Sequence, residues 1–165
     1  MTISSLRFAL GAALLMGASF ASAGPAFKSQ PMVISAVIQE IPGPSPRCAS
    51  NFGATLTGAG NSPTLGRVVM IGSDCITPDG PLLNFNQGKI TIVTLNGDLL
   101  FGEYMGQVVP TGEGTKYVFN GATYRITGGT GRHFKATGGG SLTGGGDLAT
   151  GAGTLEISGK LITLW

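Results

Sequence analysis

The sequence predicts an all-β fold: about eight short antiparallel strands that close on themselves as a barrel. Three observations lead there. Glycine occurs 29 times in 165 residues and threonine is frequent, while only 11% of residues are charged. Short β-branched and apolar runs alternate with turn signals such as Pro78-Asp79-Gly80 and Asn96-Gly97. No stretch carries a convincing helical period. A disordered chain would be charged and poor in Val, Ile, Leu and Phe, and collagen would need glycine at every third position. Neither pattern holds here. A meander of eight strands closes because closure removes exposed edges.

The N-terminus reads as an export signal. Arg7 sits in a short polar lead, an apolar run follows from Phe8 to about Phe20, and Ala21-Ser22-Ala23 supplies the small-x-small cleavage pattern. The run is too short for a bilayer span, which needs about 20 apolar residues. The expected organisation is a signal peptide over 1–23, a flexible leader over 24–30 and a single β-barrel domain over 31–165. The mature chain of 142 residues then carries nine Lys plus Arg against eight Asp plus Glu, a net charge of +1. These charges are scattered. No basic stripe suits nucleic acid, no polybasic segment suits an anionic membrane, and no membrane anchor remains after cleavage. The expected location is periplasmic or secreted.

The strands follow in order. Pro31–Glu40 is a first strand, and Ile41–Arg47, with three prolines, is a loop. Asn51–Gly60 and Thr64–Gly72 are the second and third, and Pro78–Gly80 is a turn. Gly88–Leu95 and Asp98–Val109 flank Asn96-Gly97, the strongest hairpin signal in the chain. A type I′ turn is expected there, with positive φ at both central residues. Pro110–Gly114 is another turn. Thr115–Thr127 is a long strand with a break expected at Gly121, and Gly128–Gly131 turns into His133–Thr143. Ala149–Thr163 closes the meander.

Cys48 and Cys75 are the two cysteines, with 26 residues between them. In an exported chain an even count reads as a disulfide. A metal pair or a reactive thiol are the alternatives. Metal has weak support, because the chain has one histidine and no Cys-x-x-Cys spacing. No cofactor site is expected. Gly129-Thr130-Gly131 is followed by Phe134 where a dinucleotide fingerprint needs glycine. Gly159-Lys160 is followed by Leu161 where a P-loop needs Ser or Thr.

Ile126-Thr127-Gly128-Gly129-Thr130-Gly131-Arg132, followed by Ala136-Thr137-Gly138, resembles the signature of bacterial exported proteins with an allene oxide cyclase barrel-like domain. Plant dirigent proteins carry a similar Gly-Gly-Thr-Gly turn. Asn96-Gly97-Asp98 with Phe101-Gly102-Glu103-Tyr104, and Thr64-Leu65-Gly66-Arg67 with Cys75, resemble other parts of that family. The resemblance spans roughly Cys48 to Ile162. It implies a calycin-like eight-stranded barrel with a central cavity, and a homo-oligomer, commonly a trimer in the plant relatives. The chain departs from the family at Thr64, His133 and Lys135. The plant cyclases' catalytic residues have no matching motif here, so none is carried over.

The candidate catalytic residues are Glu103, Tyr104 and Arg125. Leu99, Phe101, Glu103 and Met105 share one strand face by the two-residue period. If that face were interior, apolar surroundings would raise the Glu103 pKa and suit it to proton transfer. The competing reading turns the face outward or pairs Glu103 with Arg125 or Lys116. Tyr104 lies on the opposite face with Leu100. Arg125 would neutralise Glu103, bind an anion or sit at a rim. His133, beside a glycine-rich turn, reads as a surface residue. No Ser, Cys and His combination forms a nucleophilic triad.

Three functions fit these readings. The first is a non-catalytic barrel that binds a small apolar ligand in its lumen. The second is a cofactor-independent isomerase or cyclase, or a dirigent-like guide. The third is a structural or surface-assembly protein. The first two require an apolar cavity and the third a filled lumen.

Overall fold

The computed structural model describes residues 26–164. The export signal assigned to Met1–Ala23 lies outside the described residues. Eight strands form one closed antiparallel barrel in sequence order: β1 Phe27–Pro44, β2 Phe52–Ser62, β3 Gly66–Asp79, β4 Leu82–Thr94, β5 Leu99–Pro110, β6 Lys116–Gly129, β7 Thr137–Asp147 and β8 Ala152–Leu164. The barrel closes where β1 pairs with β8, from Phe27↔Leu164 to Gln39↔Ala152.

The first strand starts earlier and ends later than the sequence suggests. Phe27–Gln30, expected in the leader, pair with β8. Ile41–Pro44, expected in a loop, pair with β2 up to Pro44↔Phe52. Prolines are tolerated here for a geometric reason. Glu40 donates its N–H to Gly151 at 2.8 Å, on the β8 side. Pro42 and Pro44 share the parity of Glu40, so their missing donors face the side where the β1–β8 pairing has already ended at Gln39.

The hairpin at Asn96-Gly97 is confirmed with a different turn. Only Gly97 has positive φ, at +83°. Its N–H donates to Thr94 O at 2.9 Å, and Thr94 N–H donates to Asp98 O at 2.9 Å. This is a longer loop built around one left-handed glycine rather than a two-residue type I′ turn. β3 and β4 also extend much further than expected and meet at Gly80-Pro81.

Side chains alternate between lumen and solvent, and bulges near Gln87 and Gly121 reset that alternation. In β4 the register shifts between Phe85 and Gly88 against β5 and between Asn86 and Lys89 against β3, with Gln87 at φ +50°. In β6 it shifts around Gly121, at φ +57°. An extra residue on one strand reverses the parity beyond it. Phe85 and Ile90 therefore both face inward, as do Phe119 and Ala122.

One end of the barrel is filled. Met32, Ile34, Leu100 and Leu161 are fully buried there, and Leu65 and Ala136 close it from the connecting loops. The Gly128–Arg132 signature lies at this end. Thr130 exchanges hydrogen bonds with Leu99, its N–H donating to Leu99 O and its Oγ1 accepting from Leu99 N, both at 2.9 Å. Gly131, at φ +52°, leaves no room for a Cβ against the Asp98 carboxylate. Arg132 donates to Asp98 Oδ2 from both its amide and Nε at 3.3 Å. The signature thus locks the β6–β7 connection onto the β4–β5 hairpin. His133 follows in a one-turn 3-10 helix. It is 4% exposed rather than at the surface, because that turn folds it under the end of the barrel. Burial lowers its pKa, opposed by the nearby Asp98 charge.

Candidate functional site

The opposite end of the barrel is open onto a cavity of about 210 Å³. Leu56, Ile90, Ile92, Ile126, Leu142 and Ile157 form its floor and walls. These side chains point inward because each occupies an inward position of its strand's two-residue alternation.

Three acidic residues interrupt this apolar lining: Asp147, at the end of β7, and two carboxylates that pair with tyrosines. Asp74, on β3, is 4% exposed, and its Oδ2 accepts a hydrogen bond from the Tyr104 hydroxyl at 2.9 Å. Glu40, on β1, accepts a hydrogen bond from the Tyr117 hydroxyl at 2.6 Å. The register places both beside β2: Asp74 lies across from Ala54, and Glu40 across from Leu56. The acids therefore sit diagonally across one intervening strand, facing the same space. Rings connect them around the rest of the wall. Tyr104 contacts Phe85 (6.0 Å between centroids), Phe85 contacts Phe119 (5.7 Å), and Phe119 contacts Tyr117 (5.6 Å).

Both acids bind protons more readily than in water. Desolvation raises the Asp74 pKa, and the Tyr104 hydroxyl, the Ala54 amide and the Arg47 charge offset only part of it. Desolvation also raises that of Glu40, where the Tyr117 hydrogen bond opposes it and the Asp74 charge adds to it. Burial, together with the adjoining carboxylates, raises Tyr104 and Tyr117 well above the usual tyrosine range. Burial alone pushes Tyr124 up to about 12. All three phenols stay neutral and serve as hydrogen-bonding groups. Two buried polar atoms of lining residues, Asp74 Oδ1 and the Tyr124 hydroxyl, have no hydrogen-bond partner among the described residues.

Glycines make room for these rings. A Cβ on Gly88 would lie 2.7 Å from the Tyr104 ring, one on Gly159 2.7 Å from the Tyr124 hydroxyl, and one on Gly146 2.9 Å from the Tyr117 hydroxyl. In a barrel this narrow, an inward tyrosine requires an inward glycine opposite.

The three sequence candidates separate here. Tyr104 lines the cavity. Glu103 does not: its face of β5 is the outer one, where Phe101 and Met105 are 37% and 58% exposed. Glu103 forms ion pairs with Arg125 across the β5–β6 ladder and with Lys89 across β4–β5. These two cations lower its pKa, the reverse of the shift expected for an interior acid. Glu103 and Arg125 thus form a surface cluster away from the lumen. Sequence reasoning passed over Asp74, Glu40, Tyr117 and Tyr124. The available signal was parity on β3, where Val68, Met70, Gly72 and Asp74 form one inward row.

Cys48 and Cys75 form the disulfide, with Cα atoms 5.4 Å apart. It ties the β1–β2 loop to β3 at the residue after Asp74, beside the cavity mouth. Among the described residues no group of three or more His, Cys, Asp or Glu could hold a metal ion, and no helix is long and apolar enough to cross a membrane. Comparison of the chain with protein-family models, curated proteins and solved structures finds no match.

Proposed function

We propose that this is an exported barrel that binds one small, mostly apolar molecule in its lumen. The observation that carries the reading is the 210 Å³ apolar cavity, open at one end only and floored by Ile92, Ile126, Leu142 and Ile157. A few polar groups converging on an apolar pocket is the usual form of a small-molecule site. The void weighs against a purely structural role, which would favour a filled lumen. The signal-like segment before Gly24 and the disulfide support export, since disulfides persist in oxidising compartments.

A second reading has its own support. Asp74 with Tyr104 and Glu40 with Tyr117 are acid–phenol pairs with raised pKa inside an apolar site, an arrangement suited to proton transfer. This is compatible with a cofactor-independent isomerase or a dirigent-like guide, as the family resemblance implies.

Native mass spectrometry of the exported protein, before and after incubation with a lipid and metabolite extract, tests the binding reading. An added mass that leaves on denaturation is expected. A bare protein after incubation would overturn the reading in favour of a structural one.

A further inference from the structure

We propose that the polar end of the cavity is a site for an organic ammonium: an apolar body about the size of one ring, bearing a protonated amine. The inference rests on the lumen being a binding site and names the class of ligand.

The charge inventory is one-sided. Glu40, Asp74 and Asp147 line the cavity, and no Lys, Arg or His is among the lining residues. The nearest cation coupled to Asp74 is Arg47, whose guanidinium donates elsewhere, to Gln87 O at 3.3 Å and Ser73 Oγ at 3.4 Å. Asp74 lines the cavity, and its buried Oδ1 has no hydrogen-bond partner among the described residues. A desolvated carboxylate oxygen is costly unless it meets a donor, and most of all a charged one. An ammonium entering the polar end would place its charge beside the Asp74 and Glu40 carboxylates.

The surroundings suit a cation in two further ways. Glu40 faces the same space from across β2, so a positive charge would relieve the repulsion between the two acids. The arc of Tyr104, Phe85, Phe119 and Tyr117 lines the same cavity, and aromatic rings attract ammonium groups. A fatty carboxylate, the obvious ligand for an apolar barrel, would meet two like charges instead.

Size sets the apolar part. An apolar cavity of about 150 Å³ holds benzene, so about 210 Å³ takes one ring with a short arm.

The test is isothermal titration calorimetry at neutral pH with three probes of near-equal size: 2-phenylethylamine, 2-phenylethanol and 3-phenylpropanoate. The amine should bind at least about tenfold tighter than the alcohol, the gain expected of a charge-assisted over a neutral hydrogen bond, and the carboxylate should not bind. Asp74→Asn keeps the shape and an acceptor for Tyr104, and should bring the amine to the level of the alcohol. Glu40→Gln, an independent variant, should narrow the amine–alcohol ratio in the same direction. If the alcohol binds as tightly as the amine, or the ratio survives in both variants, the ammonium inference is overturned and the lumen reading stands. If no probe binds, the lumen reading and this inference fall together.

Discussion

Removing the Cys48–Cys75 bond, by a Cys48→Ser, Cys75→Ser double substitution, should destabilise the barrel without opening it. The two residues are 27 positions apart. Loop-closure entropy for that length gives about 3.5 kcal/mol, a several-hundred-fold change in the unfolding equilibrium. The native loop has other anchors: Ser45 N–H donates to Asn51 O at 3.0 Å, Cys48 N–H to Ser45 O at 3.0 Å, and Asn51 N–H to Cys48 O at 2.8 Å. The loss should therefore arise in the unfolded ensemble, with Asp74 and Tyr104 still paired. Urea unfolding followed by circular dichroism measures the first part, and tyrosine ring chemical shifts the second. A loss below about 1 kcal/mol with an undisturbed mouth would refute the loop-closure reasoning. A large loss with Tyr104 displaced would show instead that the bond shapes the native site.

The raised pKa values of Asp74 and Glu40 mean that the folded state binds protons before the unfolded state does, so their contribution to stability is greatest below the ordinary values of 3.8 and 4.5 and is lost as pH rises through the folded values. Asp74→Asn should thus melt higher than the wild type at neutral pH and alike at acid pH, in thermal scans across that range; a lower melting temperature at neutral pH would contradict the desolvation argument. Glu103→Gln should leave amine binding unchanged by calorimetry, because Glu103 is held on the outer face by Lys89 and Arg125; a weakened site would mean that the surface cluster acts through the wall.

Much of the barrel was legible in the chain because short strands need frequent turns, and turns announce themselves. Asn96-Gly97 and Pro78-Asp79-Gly80 each mark a real connection, and the break expected at Gly121 is a real bulge. The facing of β5 was not legible. Its inner row is Leu100, Gly102, Tyr104, Gly106 and Val108, and its outer row includes Leu99, Phe101 and Met105. The inner row holds two glycines because a narrow lumen limits side-chain volume, so the solvent face reads as the more apolar of the two. That inversion drew attention to Glu103. Asp74 was missed for a related reason: Ser73-Asp74-Cys75 resembles a polar loop, and only a strand extending to Asp79 gives it a facing. In β4, the bulge at Gln87 breaks any alternation counted through from Phe85 to Ile90.

The position of the two barrel ends bears on how the molecule can be held. Phe27 pairs with Leu164, so the chain enters β1 and leaves β8 side by side, at the filled end. The cavity opens at the other end, among the β1–β2, β3–β4, β5–β6 and β7–β8 loops. A tag, a solid support or a fused partner joined at either place would leave the mouth pointing away into solution. Immobilised protein is therefore suited to capturing ligands from a flowing extract.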